Sequence, residues 1–454
     1  GDINGDGIDD LIIGARYGGY SGRSYVVFGS QTAFNSSFNL STLNGTNGFT
    51  INGFVSGGRS GRSVSNAGDI NGDGIDDVII GAYKADPNGT DSGQSYVVFG
   101  KSSGFTSSFN LSTLNGSNGF IINGIAAGDE SGRSVSSAGD INGDGIDDVI
   151  IGAHFADPNS TSSGQSYVVF GKNTGFSSSL NLSTLDGSNG FTLNGVAQNN
   201  HSGRSVSSAG DINGDGIDDL IIGALDASPN GISSGQSYVV FGSRSTFNSN
   251  IELSSLDGVN GLRINGINGS DYSGVSVSSA GDINGDGIDD LIIGAFGADP
   301  NGGASGQSYV IFGNAAPQLD LNGSNNQDGI DLSTTFTGTP LLIVDTDLSL
   351  TDANSANLVG ATITITNLQD EADEVLSATV TGNITANYSN GVLTLSGTGT
   401  VGEYQEVLRT VTYHNTAVVP HNVARTIEFV VDDGETYFNT NTVATTTLTI
   451  NVIL

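Results

Sequence analysis

One nine-residue segment, Asp-Ile-Asn-Gly-Asp-Gly-Ile-Asp-Asp, occurs five times and constrains this chain more than any other feature. The copies begin at Asp2, Asp69, Asp140, Asp211 and Asp282, giving steps of 67, 71, 71 and 71 residues. A period without drift means one structural unit per repeat, each burying its apolar surface against its neighbours. The first step is short because the stretch from Ala15 to Ser24 lacks four residues present between Ala82 and Ser95.

The second unit serves as the type. Arg62-Ser-Val-Ser-Asn-Ala-Gly68 reads as a strand of small residues, suited to an innermost position where strands converge on an axis. The acidic segment follows, then the apolar run Val78-Ile-Ile-Gly-Ala82 and a polar loop through Ala85-Asp-Pro-Asn88. Ser95-Tyr-Val-Val-Phe-Gly100 is a third strand, and after a linking turn through Leu111 to Leu114, Gly119-Phe-Ile-Ile-Asn123 is a fourth. Four short strands per unit, in tandem, match a propeller blade, so the fold class is all-β. Composition agrees: 69 glycines, no Met, and only Glu130 and Glu252 as glutamates within residues 1–314.

The acidic segment has the chemistry of a cation loop. Asp69, Asn71 and Asp73 alternate with Gly72 and Gly74, which permit a tight bend. The Ile75 carbonyl can add a donor, and Asp77 closes the cage. Hard oxygens with several carboxylates suit Ca²⁺ better than Mg²⁺, which keeps more of its water. Two carboxylates ~4 Å apart repel by roughly 4 kcal/mol at an effective dielectric of ~20, so an unfilled loop is strained. EF-hand and dockerin loops begin this way, but an EF-hand needs a carboxylate at its twelfth position, where this chain has Ile80 inside a β-type run. A single copy reads equally as a metal-free Asx-rich turn. Five complete copies favour about five Ca²⁺ ions, held by Asp2, Asn4, Asp6, Ile8 and Asp10; by Asp69, Asn71, Asp73, Ile75 and Asp77; by Asp140, Asn142, Asp144, Ile146 and Asp148; by Asp211, Asn213, Asp215, Ile217 and Asp219; and by Asp282, Asn284, Asp286, Ile288 and Asp290.

Ser63-Val-Ser, the acidic loop, Val78-Ile-Ile-Gly-Ala82 and Tyr96-Val-Val-Phe-Gly100 together resemble FG-GAP repeats, the blades of integrin α-subunit propellers. The resemblance covers residues 1–313. It implies a propeller of about seven blades, with Ca²⁺ in hairpin loops on one face and ligands on the other. A period of 71 is longer than is usual for such blades, so insertions are expected. Gly1 falls after the first strand of its blade and Gly313 before a fourth, so five blades of an incomplete ring are expected, with the closing strand and about two more blades N-terminal to Gly1.

The pattern stops at Phe312-Gly313. The expected organisation is a propeller over 1–314, a linker over 315–318 (Ala-Ala-Pro-Gln), and a β-sandwich over 319–454, where alternation as in Ala361–Thr366 and Thr445–Ile453 marks half-buried strands. Thr410-Val-Thr-Tyr-His-Asn415 and Phe429-Val-Val-Asp-Asp-Gly434 loosely resemble cadherin-like repeats of large bacterial surface proteins. Asp345, Asp347, Asp352, Asp432 and Asp433 could bind further Ca²⁺ or be ordinary surface turns.

A net charge of −34, from 47 acids and 13 bases, argues against a nucleic-acid partner and an anionic membrane surface. Twenty of the acids lie in the five loops. There is no Cys, and no apolar run approaches the ~20 residues that span a bilayer. No catalytic constellation stands out: His154 and His201 lack counterparts in the other repeats, His414 and His421 lie beyond them, and no nucleophile elbow, Walker loop or zinc motif is present. The reading is a non-enzymatic, extracellular, secreted or cell-surface adhesion or ligand-binding module whose partner is a protein or glycan. The alternatives are an accessory propeller of a secreted hydrolase or lyase, and a spacer in a large surface protein. Adjacent units differ most between the fourth strand and the next first strand. Arg59, Glu130, His201 and Tyr272 are therefore the expected ligand face, opposite the acidic loops, with Lys84 and Asp86 opening onto the same side.

Overall fold

The computed structural model describes residues 1–32, 36–323, 329–435, 440–441 and 443–451. Two compact units are present. One comprises residues 1–212, 216–283 and 289–312; the other comprises 313–454 together with the short stretches 213–215 and 284–288.

The first unit is five repeated antiparallel sheets. In the second repeat the strands are Val64–Gly68, Asp77–Ala82, Gln94–Val98 and Gly119–Asn123, side by side in that order. Asp77-Val-Ile-Ile-Gly-Ala82 does not alternate because both faces of the blade are covered. Ile79 packs with Val149 and Ile151 of the next blade, while Val78 and Ile80 pack with Val26 and Phe49 of the preceding one. The first strands Val64–Gly68, Ser134–Gly139, Ser205–Gly210 and Ser276–Gly281 lie against one another in succession. They are tied by serine hydroxyls: the N–H groups of Val135, Val206 and Val277 each donate to the Oγ of Ser63, Ser134 and Ser205 at 3.1 Å. This is the convergence on an axis that the small residues predict.

The long period has a structural cause that the sequence reading passed over as a linking turn. Ser179–Asn181 and Asn250–Glu252 each add a fifth strand, parallel, to the preceding blade's Gly119–Asn123 and Gly190–Asn194, and Ser108–Asn110 pairs in the same way with Gly48–Asn52 as the fourth strand of the first sheet. The same insertion carries Phe105, Phe176 and Phe247. Their rings stack on Phe49, Phe120 and Phe191 of the preceding blade at 4.2, 4.2 and 4.5 Å between centroids. Phe28, Phe99 and Phe170, from the Phe-Gly pairs, complete each triad at about 6 Å. Each insertion is therefore a latch from one blade onto the last.

The apolar faces at the two ends of the array remain open. Leu11 is 59% exposed where Val149 and Leu220 are fully buried, and Ile292 and Val310 are 39% and 42% exposed where Ile79 and Val97 are fully buried. The last sheet has three strands, Ser276–Gly281, Asp290–Ala295 and Gln307–Ile311.

The second unit has a six-stranded sheet in the order Leu332–Phe336, Ala444–Ile450, Arg425–Asp432, Asn357–Ile365, Val392–Thr400 and Thr385–Ser389. A three-stranded sheet is formed by Leu341–Leu342, Thr412–Asn415 and Glu374–Ser377. Phe336, Ile363, Tyr413 and Phe429 lie in one buried core, an arrangement consistent with a β-sandwich. Residues 452 and 453 of the expected last strand lie outside the described residues. A helix absent from the sequence reading, Val401–Leu408, starts at Thr400, whose hydroxyl and Glu403 form a capping box.

Phe176→Ala is expected to destabilise the first unit by about 3 kcal/mol, the low end of the range for deleting a core phenylalanine, because Phe176 is only partly buried. Amide hydrogen exchange should speed up first in Ser179–Asn181, which loses its latch. Unchanged exchange there would show that the stack does not hold the fifth strand.

Candidate functional site

From the second repeat on, each acidic loop connects the first two strands of its blade, while the first loop leads into Leu11–Ala15; all close on their own N–H groups. In the second loop Asp69 accepts from the N–H groups of Asp73 at 3.0 Å and Gly74 at 2.7 Å, and Asp73 accepts from Ile75 at 3.0 Å. Asn71 donates to both oxygens of Asp77, at 3.3 and 3.1 Å. The first and third loops repeat the Asp2 and Asp140 contacts. In the fourth, Gly216 donates to Asp211 at 2.8 Å. In the fifth, Ile288 donates to Asp286 at 2.9 Å.

The two final aspartates of each motif divide their work. The last one turns into its own loop, where the N–H of the Phe-Gly glycine holds it: Gly29 on Asp10 at 2.7 Å, and Gly100 on Asp77, Gly171 on Asp148 and Gly242 on Asp219 at 2.8 Å. Glycine is needed there because a Cβ on Gly100 would lie 2.3 Å from the Asp76 carbonyl oxygen. The penultimate one reaches the preceding blade. Asp76, Asp147, Asp218 and Asp289 accept the N–H groups of Asp2, Asp69, Asp140 and Asp211 at 2.8, 2.8, 2.9 and 3.1 Å. A Cβ on Gly139, whose φ is +66°, would lie 2.3 Å from an Asp218 oxygen. Sequence reasoning gave a role only to the closing aspartate and missed this blade-to-blade contact. Its signal is the invariant glycine just before each loop.

The closing carboxylates are fully buried at Asp77, Asp148, Asp219 and Asp290. Burial pushes Asp77 up to about 8 and Asp10 up to about 6, with the charges of Asp73 and Asp69, and of Asp6 and Asp2, adding to the effect. Asp148 is raised well above the usual carboxylate range, first by burial and then by Asp144 and Asp140. One Asp148 oxygen is buried with no hydrogen-bond partner among the described residues. Among those residues no three His, Asp or Glu side chains converge as a finished metal cage. The donor set nevertheless fits a hard cation: carboxylate and amide oxygens line one short loop, and its closing acid is held ionisable only against burial and its own neighbours.

At the other end of the innermost strands the expected ligand-face residues stand in a shared backbone conformation. Arg59, Glu130, His201 and Tyr272 have φ of 61, 54, 53 and 55°, the left-handed region that disfavours side chains. Each meets the residues that follow the second strand. Arg59 lies over the Tyr17 ring at 4.6 Å, and Tyr272 stacks on Phe296 at 5.0 Å. Glu130 bonds Lys84 at 2.6 Å and is buried. His201 bonds Asp226 at 2.7 Å and packs its ring edge on Phe155. Asp86 accepts the N–H of Asp91, which itself pairs with Lys84. Glu130 is therefore an internal ion-pair partner, whereas Tyr17, 65% exposed, is a surface residue the sequence reading did not name.

In the second unit, Asp352 and Asp433 each carry a buried oxygen without a hydrogen-bond partner among the described residues. Burial pushes Asp433 up to about 6, with Asp352, Glu435 and Asp432 contributing. Asp345 accepts the N–H of Asp347 within a turn. Tyr413 and Asn415 join a buried network with Glu374, Arg425 and Asp370, unforeseen because Arg425 sits in a strand where charge reads as outward-facing.

Five segments of the chain, residues 1–27, 60–98, 131–169, 202–240 and 273–311, match the FG-GAP repeat. The chain is 32% identical to integrin alpha-4 of Xenopus laevis over 161 residues, 34% of this chain and 14% of that protein. It is 31% identical to integrin alpha pat-2 of Caenorhabditis elegans over 236 residues, 49% of this chain and 17% of that one. The chain thus spans less than a fifth of the length of these relatives. The first unit is an integrin-like array of FG-GAP repeats. No described helix is long and apolar enough to cross a membrane.

In metal-free protein the raised carboxylates set a pH dependence. A carboxyl whose folded pKa exceeds its unfolded value of 3.8 contributes stability below that value and loses it as pH rises through the folded one, here about 6 for Asp10 and about 8 for Asp77. The melting temperature of metal-free protein should therefore fall between pH 5 and pH 8. Calorimetry showing a flat or rising trend would contradict the burial of these acids.

Proposed function

We propose that this chain is a calcium-binding extracellular adhesion or ligand-binding module without catalytic activity. Its organisation is read as an FG-GAP propeller over 1–314, a linker over 315–318 and a cadherin-like sandwich over 319–454. One Ca²⁺ ion occupies each acidic loop, and the ligand binds the opposite face around Arg59, Glu130, His201 and Tyr272. The observation that carries the calcium reading is the closing carboxylate, buried in the second to fifth blades, half-buried at Asp10, and raised at Asp77 to about 8. A divalent cation offsets this repulsion. The likeness to integrin α chains supports extracellular ligand binding. The left-handed backbone at four non-repeating residues supports their use as a face, since such strain persists at functional sites.

Extracellular modules bind Ca²⁺ with Kd ~10⁻⁴–10⁻³ M. At ~100 Kd each site contributes roughly 2.7 kcal/mol. Chelation should lower the melting temperature of the FG-GAP unit sharply and leave most of the sandwich transition in place. Asp148→Ala should lower the bound calcium, measured by elemental analysis after dialysis, by one ion per chain. Identical melts with and without Ca²⁺ would sink the reading.

For the face, Arg59→Gly combined with Tyr272→Gly relaxes the backbone, because glycine adopts this φ freely. The double variant should melt at the same temperature or slightly higher, yet lose binding on an array of extracellular glycans and matrix proteins. Full retention of array binding would place the ligand elsewhere.

A further inference from the structure

Bases are scarce in this chain, and they are unevenly placed. Six of the thirteen, Arg16, Arg59, Arg62, Lys84, Arg133 and Arg204, gather at the ends of the innermost strands away from the acidic loops. Arg62, Arg133 and Arg204 occupy one equivalent position in three successive blades, each just before the serine that binds the next blade's first strand. The acids paired with the group, among the described residues, are Glu130 and Asp91: Lys84 meets both at 2.6 Å, and Arg133 meets Glu130 at 3.4 Å. Arg62 and Arg204 make no ion pair among the described residues. The Nε atoms of Arg62 and Arg133 are buried without a hydrogen-bond partner among them. Guanidinium does not shed its proton in proteins, so these charges persist and donors stand idle.

The effect on neighbours is visible. Burial first, then Arg133, Arg204, His201 and Arg62, push His154 down to about 2, so this imidazole stays neutral amid the cluster. Aromatic rings alternate with the cations. Arg16 and Arg59 lie over Tyr17 at 4.8 and 4.6 Å, and Lys84 and Arg133 over Tyr83 at 5.6 and 4.9 Å. Phe155 and the Tyr272–Phe296 stack follow in the next blades.

We propose that the Arg62–Arg133–Arg204 row binds an anionic glycan, with guanidinium forks taking its carboxylate or sulfate groups and the flanking rings stacking on its sugars. The inference rests on the reading that ligands bind this face, and it names their class. Arginine matches planar oxyanions bidentately. A charge repeated from blade to blade suits a polymer with a charge on each unit, and the exposed rings of Tyr17, Phe155 and Phe296 suit pyranose faces rather than the buried side chains of a peptide. The overall charge of −34 does not forbid this, because exposed charges beyond about 8 Å are screened at physiological salt.

The test uses the full chain in Ca²⁺ and calorimetric titration with four probes: a short oligogalacturonate, a sulfated dextran oligomer, neutral dextran, and oligoglutamate of equal charge. At least one anionic glycan should bind about tenfold or more tighter than dextran, and more weakly as salt is raised; which one binds distinguishes carboxylate from sulfate. Arg62→Val with Arg204→Val should weaken it at least tenfold without moving the melting temperature, since Val275 already fills the equivalent place in the fifth blade. Should that variant fail to fold, Arg62→Lys with Arg204→Lys keeps the charge, removes the fork and should still weaken binding severalfold. Equal binding of dextran, tighter binding of oligoglutamate, or unchanged affinity in a folded arginine variant overturns the proposal. Array binding lost in the Arg59/Tyr272 glycine variant but kept in the arginine variants would leave the ligand face standing and refute the glycan row; loss in neither would remove both.

Discussion

The aspartate that closes each loop, buried in four of the five, is the constraint from which the rest of the first unit follows. Asp77 and its equivalents are held by a Phe-Gly amide on the third strand and lie under the bend between the first two. One carboxylate thereby sets the register of three strands. The aspartate just before it crosses to the preceding blade's loop, so the loops form a chain of contacts around the axis. Acids packed this closely repel: Asp147 is raised by burial first and then by the charge of Asp218, and Asp218 by burial first and then by the charge of Asp289. Metal-free, these acids crowd where the blades meet; on the proposed reading a divalent cation in each loop offsets that repulsion.

Two other devices share the load at different radii. Near the axis, small residues let first strands approach closely enough for serine hydroxyls to bond across blades. At the rim, each insertion latches backward through a stacked phenylalanine and a parallel strand. The middle blades are buried on both faces as a result. On the side opposite the loops the side-chain contacts differ from blade to blade, an ion pair at Lys84–Glu130, a His201–Asp226 pair and a Tyr272–Phe296 stack, which is why residues there vary while the loops do not.

Much of this was legible in the sequence because repetition multiplies weak signals. The five loops, the four strands per unit and the change of character after Gly313 all follow from spacing and alternation, and the strand Gly119–Asn123 falls where it was read. The added parallel strand did not show, since Ser107-Ser-Phe-Asn110 is short and turn-like in composition. Phe105, Phe176 and Phe247 stand alone in polar stretches, where a single aromatic carries no pattern. The left-handed backbone at Arg59 and its equivalents was hidden because no glycine marks it. Arg62, Arg133 and Arg204 were visible as residues, but their gathering needs the blades placed side by side.

The proposal's central claim is that the buried carboxyls of Asp77 and Asp148, raised above the usual carboxylate range, become ionised when a cation enters their loops. Calorimetric titration of Ca²⁺ at pH 7, in two buffers of different ionisation enthalpy, reads this directly as proton release. Asp77, raised to about 8, is largely protonated at that pH, so binding should release on the order of one proton for each such loop filled. Binding heats identical in both buffers, with saturation reached, would show that the carboxylates were already charged and would contradict the account.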